Sequence, residues 1–177
     1  MNLPFSTQLN NRQTYFVEKI LACLLEQKLA GMGNFIAQAH QSFLPKYEIN
    51  RSVLATCAPK SHTIREDKNN RWWPGYKIHP FINNRSKQML QFAPTIPCKG
   101  IQLIHVHKTT PKKWAVSIDR KKYASIRRNV PFEKQKEQYQ KLTALALNDG
   151  FESIEQFFAY FSNGFKGKII HWTNLKY

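Results

Sequence analysis

Between Lys60 and Trp72 the chain gathers an amine, hydroxyls, an imidazole, guanidinium groups and an indole, in the run Lys60-Ser61-His62-Thr63-Ile64-Arg65-Glu66-Asp67 followed by Asn69, Asn70, Arg71 and Trp72. Arginine forks suit phosphates or base edges, and a flat indole can stack on a nucleobase. Ser61, Arg65, Arg71 and Trp72 are therefore candidate contacts to an anion or a polar base. The alternative is a surface turn whose charges pair locally, Arg65 with Glu66 or Asp67. A second group, Lys108, Lys112, Lys113, Arg120, Lys121, Lys122, Arg127 and Arg128, has Asp119 as its only acid and Trp114 and Tyr123 interleaved. That pattern fits a nucleic-acid surface with stacking platforms, or else a solvated hairpin whose lysines protect a sheet edge. His105 and His107 share a strand face at a spacing that could chelate a metal, but no further ligand stands at motif spacing, so no metal or cofactor is expected.

Composition agrees with an anionic partner. The 177 residues carry 27 Lys+Arg against 11 Asp+Glu, a formal net charge of +16. Such an excess attracts phosphates and makes affinity fall with salt. Three scattered cysteines, Cys23, Cys57 and Cys98, suggest no disulfide framework. The longest apolar run, Ile20 to Leu25, is far too short to span a bilayer, and Met1-Asn2-Leu3-Pro4 does not begin like a secretory leader. A cytoplasmic protein without a membrane partner is expected.

The elements that must position these residues follow from periodicity. Phe16, Ile20 and Leu24, flanked by Val17, Leu21 and Leu25, predict an amphipathic helix within Asn11 to Leu29. A second short helix is expected around Phe35 to Phe43, and Lys46 to Pro59 reads as irregular. Strands are expected at Thr63 to Arg65, Tyr76 to Phe81, Ile101 to Val106, Trp114 to Ile118, Tyr123 to Ile126 and Lys168 to Trp172, with a long loop over Asn83 to Pro97. Phe132 to Asn148 predicts a helix closed by Gly150 in the left-handed conformation. Ser153 and Gln156 stand at capping-box spacing before a short helix ending near Phe161. Strands and helices in this arrangement make an α+β plan in a single domain, residues 1–177.

The run from Lys60 to Arg71, the Trp73-Pro74-Gly75 turn, Lys77-Ile78, Asn148-Asp149-Gly150-Phe151, Ser153, Phe157 and Gly167-Lys168-Ile169-Ile170-His171-Trp172-Thr173 together resemble the ASCH family, a branch of the PUA-like small β-barrels. Tyr15 to Ile20 resembles the helix before the family signature. The resemblance implies RNA or modified-nucleoside binding in a cleft at one end of a small mixed barrel. Some members are amidohydrolases that deacylate acetylated cytidine with a lysine, a threonine and a glutamate, and another has been described as a ribonuclease. Carried over, the lysine falls on Lys60, the threonine on Thr63 and the carboxylate on Asp149, one methylene shorter than the family's glutamate. A lysine of lowered pKa can activate a hydroxyl nucleophile, a carboxyl can protonate the departing amine, and Arg65 can hold an oxyanion. On a regular strand Lys60 and Thr63 would face opposite ways, so the chain must bend near Pro59 to Ser61. Against the family pattern, residues 26–58 form an extra stretch, read as a helical insertion that could act as a lid or dock a partner or second copy. An RNA-binding module without catalysis, a ribonuclease, and an interaction protein acting through the insertion remain as alternatives.

Overall fold

A computed structural model describes residues 1–27 and 46–177. The chain begins with β1 (Asn2–Pro4) and a small hairpin of β2 (Gln8–Leu9) and β3 (Arg12–Gln13). Asn10 and Asn11 form its two-residue turn at φ 50° and 61°. Positive φ at both central positions is what the tightest hairpin turns require and what asparagine tolerates. The hairpin takes the polar residues before Thr14, and the predicted first helix spans the periodic apolar positions as α1 (Phe16–Glu26). Residues 46–59 are not wholly irregular. Asn50 caps α2 (Arg51–Thr56), its side chain accepting from the Val53 N–H at 3.0 Å. The helix expected near residues 35–43 lies outside the described residues.

Eight strands follow: β4 (His62–Arg65), β5 (Lys77–Ile82), β6 (Leu90–Gln91), β7 (Ile96–Pro97), β8 (Gly100–Thr110), β9 (Lys113–Ile118), β10 (Lys121–Arg127) and, after the helices, β11 (Phe165–His171). Two helices, α3 (Lys136–Asn148) and α4 (Ile154–Tyr160), stand before β11. A 3-10 turn over Phe132–Gln135 takes the first part of the helix predicted there. The main sheet is antiparallel in the order β10-β9-β8-β11-β4. A smaller sheet has β1 parallel to β5, with β6 and β7 antiparallel to β5. Among the described residues the sheets do not close into a barrel, since β4 and β10 lie at opposite ends of the main sheet.

Strand alternation supplies two cores. Ile64, Ile104, Val106, Val116, Ile118 and Ile169 pack under α3 and α4 with Leu142, Leu145 and Phe157. Ile170 and Trp172 turn the other way, toward α1, Phe5, Ile78, Ile82 and Phe92. Adjacent residues of β11 thus serve opposite faces, as a period of two demands. The edge strand β4 lies where the two cores meet, and α3 ends beside it.

Candidate functional site: a buried amine, a carboxyl and a hydroxyl in one cleft

α3 ends in a full Schellman turn: Gly150 N–H donates to Leu147 O at 2.8 Å and Phe151 N–H to Ala146 O at 3.0 Å. Gly150 takes φ +87°, and a Cβ there would meet Phe16 Cε1 at 2.8 Å and Lys60 Cδ at 3.0 Å. This turn delivers Asp149 to the free edge of β4, where its Oδ1 accepts the Ile64 N–H at 3.0 Å. The neighbouring Ser61 N–H donates to Asn148 O at 2.8 Å. The end of one helix thus takes the place of a sixth strand.

The chain bends before β4, as the alternation argument required. Lys60 lies outside the strand, its N–H donating to Lys19 O at 2.9 Å. The residue is 1% exposed and its Nζ meets Asp149 Oδ1 at 2.7 Å and the Asp149 carbonyl oxygen. The ammonium also stands 4.7 Å from the centre of the Phe16 ring. Thr63 and Arg65 share one face of β4, and together with Lys60, Asp149, Phe16, Phe151 and Tyr160 they line a narrow hollow of about 20 Å³. Residues 89 positions apart therefore form one site.

Burial dominates the electrostatics of the pair. It lowers the Lys60 amine to about 8, against the pull of Asp149, and raises the Asp149 carboxyl, against the pull of Lys60. Both directions favour the neutral amine and the protonated acid more than water would. The Arg65 Nε is buried without a partner, while its Nη2 reaches Pro4 O and its guanidinium lies 5.3 Å from the centre of the Phe5 ring.

Behind the pair is a second polar cluster, which joins His62 to Tyr177 and Asn148. His62 Nε2 lies 2.7 Å from Tyr177 Oη, which accepts from Asn148 Nδ2 at 2.9 Å, and His62 Nδ1 is 3.7 Å from Asp149 Oδ1. Burial holds His62 well below its ordinary value and lowers His171 to about 4, so both rings are neutral near pH 7.

Other expected contacts lie elsewhere. Ser61 faces the Cys23 Sγ at 3.9 Å and does not line the hollow. Trp72 is 5% exposed and packed in the core near Phe5 and Trp172, because the loop before it is pinned inward. The pin is Asp67, which accepts from the Arg71 and Trp72 N–H groups and from Lys168 Nζ at 2.9 Å. Arg71 is exposed and outside the cleft, and the exposed indole is that of Trp73, next to Trp72. Local pairing of Arg65 with Glu66 or Asp67 is not found: Asp67 takes Lys168, and Glu66 takes Lys68 at the surface.

The second basic group divides in two. Lys108, Lys112, Lys113, Arg127 and Arg128 collect at one end of β8, β9 and β10, where Lys113 pairs with Arg127. Arg120, Lys121 and Lys122 occupy the opposite end, at the turn and at the Ile118–Lys121 and Ser117–Lys122 pairs. The interleaved aromatics are engaged internally, Trp114 stacked on Phe158 at 4.6 Å and Tyr123 donating to Lys141 O at 3.2 Å. His105 and His107 stack on each other at 4.4 Å. Among the described residues no group of three His, Cys, Asp or Glu side chains could hold a metal ion.

The narrow hollow opens beside a larger cavity of about 330 Å³ that the sequence reading did not foresee. Leu9, Phe16, Phe151 and Tyr160 line both. The larger one adds Asn10, Arg12, Gln13 and Thr14 from the amino-terminal hairpin, Lys19 from α1, and Glu152 and Gln156 near α4. The described part of the insertion does not reach it. Tyr47 Oη donates to the buried Glu18 carboxylate at 3.0 Å, as does the Asn50 N–H, which docks that part on α1. No family model, curated protein or solved structure matches the chain.

Proposed function

We propose that the chain hydrolyses the amide of an acylated cytidine, with Thr63 as nucleophile. The observation that carries this reading is the convergence of Lys60, Thr63, Arg65 and Asp149 on one hollow beside a cavity large enough for a small molecule. It accords with the resemblance to PUA-like ASCH proteins and with a β4 edge framed by two helices.

The chemistry balances within these groups. The neutral Lys60 amine accepts the Thr63 proton as Oγ1 attacks the acyl carbon, and Arg65 steadies the oxyanion. As the C–N bond breaks, protonated Asp149 gives its proton to the departing exocyclic amine. Proton return from Lys60 to Asp149 across their 2.7 Å contact resets both groups after each half-reaction. Water then adds to the acyl-threonine, giving one proton to Lys60, and the released Thr63 oxygen recovers a proton from Asp149. The products are cytidine and a carboxylic acid.

The test is cytidine release from N4-acetylcytidine by the purified protein. Wild type should turn over, while Thr63→Val and Lys60→Met should each lose at least ~100-fold with circular dichroism retained. Absence of wild-type turnover on acylated cytidines removes the reading. A second reading, RNA binding without catalysis, is favoured by the basic residues at both ends of the β8–β10 meander. It predicts salt-sensitive RNA affinity that survives Thr63→Val.

A further inference from the structure

Two buried amines hold successive carbonyls of the α3 turn: Lys60 Nζ takes that of Asp149, and Lys19 Nζ takes that of Gly150 at 2.8 Å. The first amine belongs to the narrow hollow and the second to the larger cavity. Lys19 is only 8% exposed, and Gly150 O is the one hydrogen-bond acceptor it has among the described residues. An ammonium carries three donors, so two remain for a ligand. Arg12, on β3, lines the same cavity and has no acidic partner among the described residues. The hairpin amides of Asn10 and Gln13 stand with them. One carboxylate, Glu152, is also present, and its Oε2 is occupied by the Gln156 amide at 3.1 Å. Two cations therefore face one acid in a recess whose other walls, Leu9, Phe16, Phe151 and Tyr160, are apolar or aromatic.

We propose that this cavity is a phosphate-bearing subsite, so that the molecule accepted at the cleft is an acylated cytidine nucleotide, free or at an exposed position of RNA, in preference to the nucleoside. The inference rests on the reading of the cleft as a cytidine site, since phosphate is the anion such a ligand carries. The apolar walls take the flat part of the ligand, and Lys19 and Arg12 take phosphate oxygens. Charged donors on a phosphate give short, strong hydrogen bonds, and the arginine fork adds direction. Arg12 sits on a hairpin tethered through Thr14, whose N–H donates to Thr7 O at 2.9 Å and whose hydroxyl donates to Ser6 O at 2.7 Å. The hairpin backbone that carries Arg12 is thus held at the rim of the cavity.

The experiment measures affinities of the full chain for cytidine, cytidine 5′-monophosphate and inorganic phosphate by calorimetry, with wild type, Arg12→Gln and Lys19→Met. Wild type should prefer the monophosphate to cytidine by about tenfold or more, and Arg12→Gln should reduce that preference to about twofold. Arg12 lies at the surface, so its replacement tests the idea even where Lys19→Met fails to fold. A cytidine-containing tetranucleotide separates the two sources: competition with the monophosphate assigns RNA phosphate, and monophosphate binding without competition assigns the free nucleotide. Equal affinity for cytidine and its monophosphate, or a preference untouched in Arg12→Gln, overturns the proposal. Retained phosphate preference without deacylation would instead remove the catalytic reading alone.

Discussion

Lys60 is worth most where its proton is least stable. The proposed reaction starts with Lys60 neutral and Asp149 protonated, one proton on the pair. The pair loses that proton as pH rises through about 8, where the Lys60 amine titrates, so the rate should fall about tenfold per pH unit above it. The expected pH–rate profile is flat just below about pH 8 and declines above it. Asp149 opposes the depression, so Asp149→Asn should slow the reaction and replace the declining limb by one that rises with pH to a plateau reached below about pH 8; a limb that still declines above about 8 would remove Asp149 as the acid. The same shift has a sign for stability. Below about 8 the amine is protonated in both folded and unfolded chains and its burial is a cost; between about 8 and 10.5 the unfolded chain binds the proton and the native one does not. Raising pH through that window should relieve the cost and stabilise the fold. Gly150 makes a second residue-scale prediction. Any side chain there meets both a positive φ and the Phe16 and Lys60 side chains, so Gly150→Ala should cost about 2 kcal/mol or more in denaturant unfolding. A change below about 0.5 kcal/mol would mean that the turn relaxes freely.

At the scale of elements, the described half of the insertion is a brace for α1. Glu18 is fully buried and its oxygens are filled by Tyr47 Oη and the Asn50 N–H. Removing the phenol leaves a charged acceptor short of a donor, so Tyr47→Phe should cost about 1–2 kcal/mol by urea titration. Substrate KM should not change; a tenfold rise in KM would instead assign this segment a role at the cleft. Periodicity made most elements legible beforehand. The alternating Trp114, Val116 and Ile118, the Gly150 stop and the Ser153 cap all occupy their predicted places. What escaped were the shortest pieces, β1, β2, β3, β6, β7 and α2, whose few residues leave no period to detect. The convergence of Lys60, Thr63, Arg65 and Asp149 was anticipated, while Trp72 was misplaced because an exposed and a buried indole look alike in Trp72-Trp73. Lys19 and Arg12 escaped because a basic residue in an amphipathic segment reads as a solvated face, and only the fold turns it toward a cavity.

For the whole molecule, the question is whether a net charge of +16 acts as one surface or several. The two basic ends of the meander are separated by the length of β9, Lys113 to Ile118, about 20 Å at the usual rise per residue. That exceeds the ~8 Å screening length at physiological ionic strength, so each end should hold phosphates without feeling the other. If RNA binds, reversing Lys121 and Lys122 to Glu and reversing Arg127 and Arg128 to Glu should each lower affinity and flatten the slope of log K against log salt. The fourfold variant should lose the sum of the two free energies within about 0.5 kcal/mol, as independent sites do. An effect confined to one pair would place the strand at a single end, and unchanged RNA affinity in the fourfold variant would remove the meander from binding altogether. Because neither end contributes a residue to the cleft, deacylation of a free nucleoside should be unaltered in all three variants, whereas activity on an RNA-borne substrate should fall with the affinity.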